Sequence, residues 1–264
     1  MTFNLNNPSR ERAERQLRYL AQRPEAVLVL TETARSAGCE YLAEQFERAG
    51  YAVTFPRPAH GTRERGVMIV SRLATRLPPL PVDYLPHRVA AVTVETSAGP
   101  LEIIGVYVPS RDATEAKITR KRTFLEGLAA ALPTGETGRR LVLGDFNILE
   151  PNHIPRYSTF RPWEYEFYAG LGRAGYRDAF RLLAPDALEY SWVGRTGDGY
   201  RYDHAHVSMG LAASVEGCRY VHEPRTGEDR LTDHSALTVS LAVTAREPLD
   251  VTDPAAAAIA PALF

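Results

Sequence analysis

The feature that most constrains the fold is a series of short, apolar, β-branched runs recurring from one end of the chain to the other. AVLVLTE (26–32), GVMIVSR (66–72), RVAAVTVET (88–96), LEIIGVYVP (101–109), RLVLGDF (140–146), YDHAHVS (202–208) and SALTVSLAV (235–243) have the length and composition of buried or half-buried strands. Segments with helical spacing lie between some of them. PSRERAERQLRYLAQR (8–23) sets Ala13, Leu17, Leu20 and Ala21 on one face behind a Pro-Ser start. ATEAKITRKRTFLEGLAAAL (113–132) does the same with Ile118, Leu125, Leu128 and Leu132. CEYLAEQFERAG (39–50) and EYEFYAGLGRAG (164–175) each stop on a glycine, a natural helix end. Strands alternate with helices before residue 60, 66–107 reads as a meander, and the second half repeats both habits. A purely parallel fold would alternate throughout, so the mixture predicts two packed sheets with helices outside.

The chain of 264 residues, 44% of them hydrophobic, has ample material for one large α/β core. Its 31 Lys+Arg nearly balance 32 Asp+Glu, so net charge gives no sign of a nucleic-acid partner and any basic surface must be local. Cys39 and Cys218 form no disulfide framework and lack metal-ligand spacing, which predicts free thiols. MTFNLNNPSR lacks the apolar core of a secretory signal, and no run approaches the ~18 apolar residues of a membrane span. The expectation is a cytoplasmic monomer with no membrane partner. LATRLPPLPVDYLPH (73–87) reads as a loop and DPAAAAIAPALF (253–264) as a low-complexity end. We expect one domain over 1–245 and a tail over 246–264.

Several polar residues sit at strand ends. In LVLGDFN (141–147), an apolar strand runs into Gly144, and Asp145 and Asn147, two apart, point the same way from the rim of a sheet. The same letters also make a good turn. In RLTDHSALTVSL (230–241), Asp233 and His234 stand immediately before a strand. In GYRYDHAHVS (199–208), Asp203 lies among apolar and aromatic residues, where a carboxylate needs a partner, and a histidine is a natural one. Alternation points His204 and His206 to the face opposite Asp203. Glu32 ends AVLVLTE, Asn4 lies in MTFNLNN and Tyr107 in GVYVPS; singly, these read as a solvated carboxylate, an equally bland asparagine and a core tyrosine.

Their order carries more. FNLN (3–6), LTET (30–33), RGVMIVS (65–71), GVYVPS (105–110), GDFN (144–147), GYRYD (199–203) and TDHSAL (232–237) follow one another along nearly the whole chain. This series resembles the endonuclease/exonuclease/phosphatase superfamily, and within it the exonuclease III-like branch of apurinic/apyrimidinic endonucleases. Other branches, such as deoxyribonuclease I, sphingomyelinases and messenger-RNA deadenylases, place a histidine around the strand that here carries Tyr107. This chain has no histidine between 87 and 153. It departs from the pattern at Thr232, where serine is usual, at His206, where an apolar residue is usual, and in FNLNNPS, which lacks the customary glycine.

The resemblance implies a four-layer α/β/β/α sandwich of two mixed sheets and a hydrolase of phosphodiesters in DNA. The expected substrate is double-stranded DNA with abasic sites or 3′ ends. Rival readings keep the fold but change the substrate to RNA, nucleotides or small phosphate esters, or make the chain a non-catalytic binding module. The resemblance assigns Glu32 as the main ligand of a Mg²⁺ or Mn²⁺ ion, with Asn4 orienting Glu32 or touching the ion, and Asn6 and Asp233 nearby. Asp145 would deprotonate the attacking water and Asn147 would hold that water or the phosphate. His234, paired to Asp203, would stabilise the pentacovalent phosphorus, and Tyr107 would donate to phosphate or leaving group. Exchange of the base role between Asp145 and His234 stays open, as does a second ion near Asp145, Asn147 and His234. Trp192, Tyr200 and Tyr202 would wall a pocket for an extruded abasic sugar, or else pack as strand residues. RDATEAKITRKR (111–122), with Arg111, Lys117, Arg120, Lys121 and Arg122, would grip the phosphate backbone, or else form a solvated helix face.

Overall fold

The computed structural model describes residues 1–257, and these build two sheets that pack face to face. The first has six strands in the order β12 (Val215–Val221), β13 (Ala236–Leu241), β1 (Thr2–Asn4), β2 (Val27–Thr33), β4 (Gly66–Ser71) and β3 (Ala52–Thr54). The second has five, in the order β5 (Val89–Thr96), β6 (Gly99–Tyr107), β7 (Arg140–Asp145), β11 (Asp203–Ser208) and β8 (Tyr176–Asp178). A short ribbon of β9 (Trp192–Val193) and β10 (Gly199–Tyr200) lies apart from both. Helices α1 (Arg10–Ala21) and α2 (Ala37–Arg48) cover the first sheet, and α3 (Glu115–Ala131) and α4 (Pro162–Arg173) cover the second. This is the four-layer sandwich of mixed sheets that the sequence resemblance implied.

Three apolar layers hold these four together. Leu17, Leu20, Leu42 and Phe46 pack on Phe3 and Leu30 outside the first sheet. Val29, Val67, Ile69, Val92, Ile103 and Leu143 fill the space between the sheets. Phe124, Leu125 and Leu128 of α3 pack on Val142 and Phe146. Each such side chain contributes roughly 1.5–3 kcal/mol by leaving water. The sheets come closest at Gly105, where a Cβ would lie 2.7 Å from Val29 and 2.9 Å from Val67, so a larger residue would force them apart.

In each sheet one pair of strands is parallel, β1 with β2 and β6 with β7, and in each a helix makes the crossover (α1 and α3). The C-terminal ends of β1, β2, β6 and β7 carry Asn4, Glu32, Tyr107 and Asp145. β11 runs antiparallel to β7, so its first residue, Asp203, stands opposite Asp145.

The strands expected from apolar runs are present, and 73–87 contains no long element. One long strand escaped the sequence reading. VEGCRYV forms β12 at the sheet edge, where only Cys218 and Tyr220 turn inward, so charges at Glu216 and Arg219 interrupt its apolar pattern. The boundary expected at 245 does not coincide with a break in packing. Arg246 N–H donates to the Glu95 carbonyl (2.8 Å), Leu249 N–H to Arg72 (2.8 Å) and Thr252 N–H to Ala49 (2.9 Å). A final turn, Pro254–Ala257, rests on α1 and α2. Residues 258–264 of the expected tail lie outside the described residues. Both cysteines are buried and free, and among the described residues no helix is long and apolar enough to cross a membrane.

Candidate active site

The site forms where the two sheets meet at the ends of their parallel strands. Two side-chain hydrogen bonds bridge the sheets there. Asn4 Nδ2 donates to Asp145 Oδ2 at 3.0 Å, and His234 Nδ1 lies 2.7 Å from Asp203 Oδ2. Asn4, Asp145, Asp203 and His234 are all buried. One ligand-capable atom from each of Glu32, Asp145 and His234 lies within 4.8 Å of the others.

Backbone conformation aims these groups. Glu32 has φ +54° and sits where the β2–β4 register slips between Thr31 and Thr33, as the extra residue of a bulge. Its neighbours Thr31 and Thr33 are fully buried, whereas Glu32 turns toward the cleft and pairs with Arg65. Asn6 (φ +50°) and Asn147 (φ +49°) are also left-handed. Such conformations cost about 1–3 kcal/mol each and gather where a function requires them. Gly144 makes the turn into Asp145 feasible. It has φ +150°, and a Cβ there would come within 1.9 Å of the Val106 carbonyl oxygen.

Electrostatics separate the two titratable centres. Burial pushes the Asp145 carboxyl up to about 7, with Asp203 adding to the rise and His234 opposing it. Burial works against charge on His234, but Asp203, by attraction and hydrogen bond, together with Asp145 and Asp233, carries its pKa up to about 9. Tyr107 is pushed to about 12 by burial and by Asp145, and so remains protonated; the Arg88 guanidinium stands 4.6 Å above its ring.

The expected site residues divide into those gathered here and those placed elsewhere. Glu32, Asp145, Asp203 and His234 converge with Asn4, while Tyr107 pairs with Asp145 across β6 and β7. The backbone N–H of Asn147 donates to Asp145 Oδ1 (2.9 Å) and its side chain to the Val108 carbonyl (3.1 Å). Asn4 holds Asp145 through its Nδ2, and its oxygen accepts from Asn6 N–H (2.8 Å), which leaves that oxygen a second lone pair. Asp233 does not join the cluster. It is exposed, and its two oxygens accept from Asn6 Nδ2 (3.0 Å) and Trp192 Nε1 (3.1 Å).

Trp192, Tyr200 and Tyr202 do stand together, at ring separations of 5.1–6.0 Å. Tyr157 extends the group by stacking on Tyr200 at 4.3 Å. Beside them a cavity of about 440 Å³ is lined by Asn147, Phe160, Tyr200 and Tyr202.

The basic grip expected over 111–122 is mostly turned inward. Arg111 and Lys121 share the buried carboxylate of Glu164, Arg111 also donates to the Thr159 carbonyl (2.7 Å), and Arg120 pairs with Glu64 at 2.5 Å. Only Lys117 and Arg122 are more than half exposed, each beside a carboxylate, Asp112 and Glu126. The reason is that Glu164, from α4, lies buried against α3 and must be neutralised there.

Two supporting residues, Ser191 and Arg201, were missed, and a third, Lys121, was expected on the phosphate backbone instead. Ser191 Oγ accepts from the backbone N–H groups of Tyr202 (2.9 Å) and Asp203 (3.1 Å), and its carbonyl accepts from Ser235 (2.7 Å), tying the Asp203 and His234 segments together. Lys121 Nζ donates to the Asn147 carbonyl (2.5 Å). Arg201, fully buried, bridges Glu150 (2.7 Å) and Asp178 (2.8 Å) behind Asp203. Its place in Gly-Tyr-Arg-Tyr-Asp was the available signal, because an arginine inside an apolar run needs buried carboxylates.

Comparison with known proteins agrees with this geometry. A 3′ phosphatase, NExo, from Neisseria, bound to a product DNA hairpin, matches with a TM-score of 0.74 and 25% identity over 91% of this chain and 97% of that one. A structure of NExo from Neisseria meningitidis described as a 3′-5′ exonuclease gives 0.76 and 25% over 91% and 98%. An AP endonuclease from Archaeoglobus fulgidus gives 0.74 and 24% over 91% and 97%. No curated protein sequence matches this chain. The sequence model of the Endonuclease/Exonuclease/phosphatase family matches residues 1–240. With Asn4, Glu32, Asp145, Asp203 and His234 all inside that span and folded into one cluster, the chain belongs to this family.

Proposed function

We propose that this chain is a Mg²⁺- or Mn²⁺-dependent hydrolase of phosphate esters in DNA, acting at abasic sites, at 3′ ends, or at both. The observation that carries the reading is the convergence of the Asp203–His234 pair on Asp145 and Glu32. A 3′ phosphatase bound to a product DNA hairpin and a 3′-5′ exonuclease, as the Neisseria structures are described, need the same chemistry.

The residues fit a hard cation. Glu32 and Asp145 offer carboxylate oxygens within reach of each other, and Glu32 is the less buried of the two. When bound there, the ion supplies neutralisation of phosphate charge. The protein's own groups supply the rest. Asp145, tuned toward neutrality by burial, accepts the proton of the attacking water, which favours it over His234 as base. Asn4 and the Asn147 backbone hold that carboxylate in place. Asp203 keeps the imidazole of His234 protonated, so Nε2 donates to a phosphoryl oxygen as negative charge builds. Tyr107 donates from its protonated hydroxyl to the phosphate or leaving oxygen.

The test is cleavage in Mg²⁺ of a duplex with one abasic site, beside intact duplex, a 3′-phosphorylated end, RNA and a small aryl phosphodiester. We expect the abasic duplex to be cut at least ~10-fold faster than the intact one, about 1.4 kcal/mol in the barrier. The Trp192→Ala variant should narrow that ratio more than it slows attack on ordinary ends. Equal cutting of abasic and intact duplexes removes abasic-site incision from the reading. Activity that survives exhaustive chelation overturns the metal requirement.

A further inference from the structure

We propose that Arg65 is a substrate-binding residue held in reserve: it pairs with Glu32 until the divalent cation takes that carboxylate, and the freed guanidinium then binds a phosphate of the DNA. The inference rests on the metal-dependent reading above. Strand register puts the two residues together. Thr31 pairs with Val67 and Thr33 with Gly66, so Glu32, the bulge residue between them, emerges beside the start of β4. Arg65 is the residue just before that start. Its Nη1 donates to Glu32 Oε2, the one hydrogen bond its side chain makes among the described residues. The Arg65 side chain is 37% exposed and that of Glu32 14%, so the guanidinium lies on the solvent side of the pair. The backbone beneath is fixed. A Cβ on Gly66 would lie 2.2 Å from the His87 carbonyl oxygen, so a change of partner is confined to the Arg65 side chain.

The neighbouring guanidiniums are committed differently. Arg12 Nη2 donates to the carbonyls of Asn6 (2.6 Å) and Asn7 (3.3 Å). Arg88 (3.3 Å) and Arg120 (2.5 Å) share Glu64. None of these partners belongs to the Glu32–Asp145–His234 cluster, whereas the partner of Arg65 does.

Charge makes the two occupants of Glu32 rivals. Glu32, Asp145 and Asp203 together meet one imidazole, His234, and one guanidinium, Arg65. A divalent ion on Glu32 and Asp145 would stand beside Arg65, and like charges on one carboxylate repel. Arg65 is the one that yields, because its long side chain already reaches water and keeps its charge solvated there. The nearest alternative carboxylate, Glu64, is already shared by two guanidiniums. A phosphate at the rim of the cleft is the partner that fits, since the planar fork of arginine matches its oxygens. The exchange couples the two ligands: the cation strengthens the grip on DNA, and DNA, by drawing Arg65 away, strengthens the hold on the cation.

The experiment uses the full chain in two assays, neither of which reads turnover. In the first, Mn²⁺ binding without DNA is followed through the electron paramagnetic resonance of the free ion. Arg65→Gln should tighten binding roughly 3-fold or more, because the competing charge is gone. Loss of a merely structural contact would weaken it instead. In the second, binding of duplex DNA is measured against salt in EDTA. In the wild-type background, where Glu32 occupies the guanidinium, Arg65→Gln should leave the slope of log affinity against log salt nearly unchanged. In the Glu32→Ala background, where Arg65 is released without any ion, the same substitution should lower that slope by about 0.9. Equal or weaker Mn²⁺ binding by Arg65→Gln overturns the exchange, and so does a slope change that is the same in both backgrounds. Absence of Mn²⁺ binding by the wild-type protein overturns the metal-dependent reading itself, an outcome distinct from wild-type binding that Arg65→Gln leaves unimproved.

Discussion

The two ends of the segment around β11 hold buried charge in different ways. Behind Asp203, the carboxylates of Glu150 and Asp178 meet the guanidiniums of Arg181 and Arg201, and their oxygens are taken up by hydrogen bonds. In front, the carboxylates of Glu32, Asp145 and Asp203 meet one buried imidazole, His234, and one partly exposed guanidinium, Arg65. The rear cluster is balanced and packed, as a group that holds the fold should be. The front cluster has more negative than buried positive charge and includes a left-handed glutamate, which is how a protein prepares a place for a cation it does not itself supply. The difference predicts that front substitutions act on rate and rear substitutions on stability.

The largest expected effect is at Glu32. Glu32→Gln keeps the volume and should change unfolding stability by less than ~1 kcal/mol. It should lower turnover on DNA by on the order of 100-fold or more, since removing one transition-state electrostatic contact costs that much. Turnover within ~3-fold of wild type would erase the distinction between the two clusters. Next is Arg201→Ala, which leaves Glu150 and Asp178 buried without their shared cation. Urea unfolding should register a loss of about 3–5 kcal/mol. A loss below ~1 kcal/mol would mean the rear network does not hold the fold.

A third effect is a shift in titration. His234 is raised in the fold to about 9, so its stabilising contribution is complete below the unfolded value of ~6.5 and disappears as pH rises through about 9. Asp203→Asn should bring the ring titration, followed by NMR, down toward ~6.5 and flatten that loss of stability. In wild type the rate should fall at acid pH as Asp145 takes its proton, and at alkaline pH as His234 loses its own. An unshifted His234 in Asp203→Asn would mean the pair does not act as a unit.

The smallest effect is at Arg111. Because Glu164 already holds its guanidinium, Arg111→Ala should leave the slope of log affinity against log salt nearly unchanged. A direct phosphate contact would lower that slope by about 0.9. A drop of that size would restore the backbone grip expected from the sequence.

Much of this was present in the linear chain. Apolar runs of strand length located the main strands, because burial on a pleated sheet demands that composition wherever the strand sits. The order of Asn4, Glu32, Tyr107, Asp145, Asp203 and His234 supplied the site's members, and alternation already separated Asp203 from His204 and His206. Tertiary structure decided what each member touches. Only the bulge between Thr31 and Thr33 turns Glu32 into the cleft, and register is a property of two strands, not one. That Asn4 donates to Asp145, far along the chain, appears only in the folded structure. Arg111 and Lys121 read as a solvated basic stripe until Glu164 comes to lie beneath them. Composition and periodicity report how much charge or apolar surface a segment carries. Which partner neutralises a given charge depends on residues brought close only by the fold, and that decides whether the charge serves the substrate or the structure.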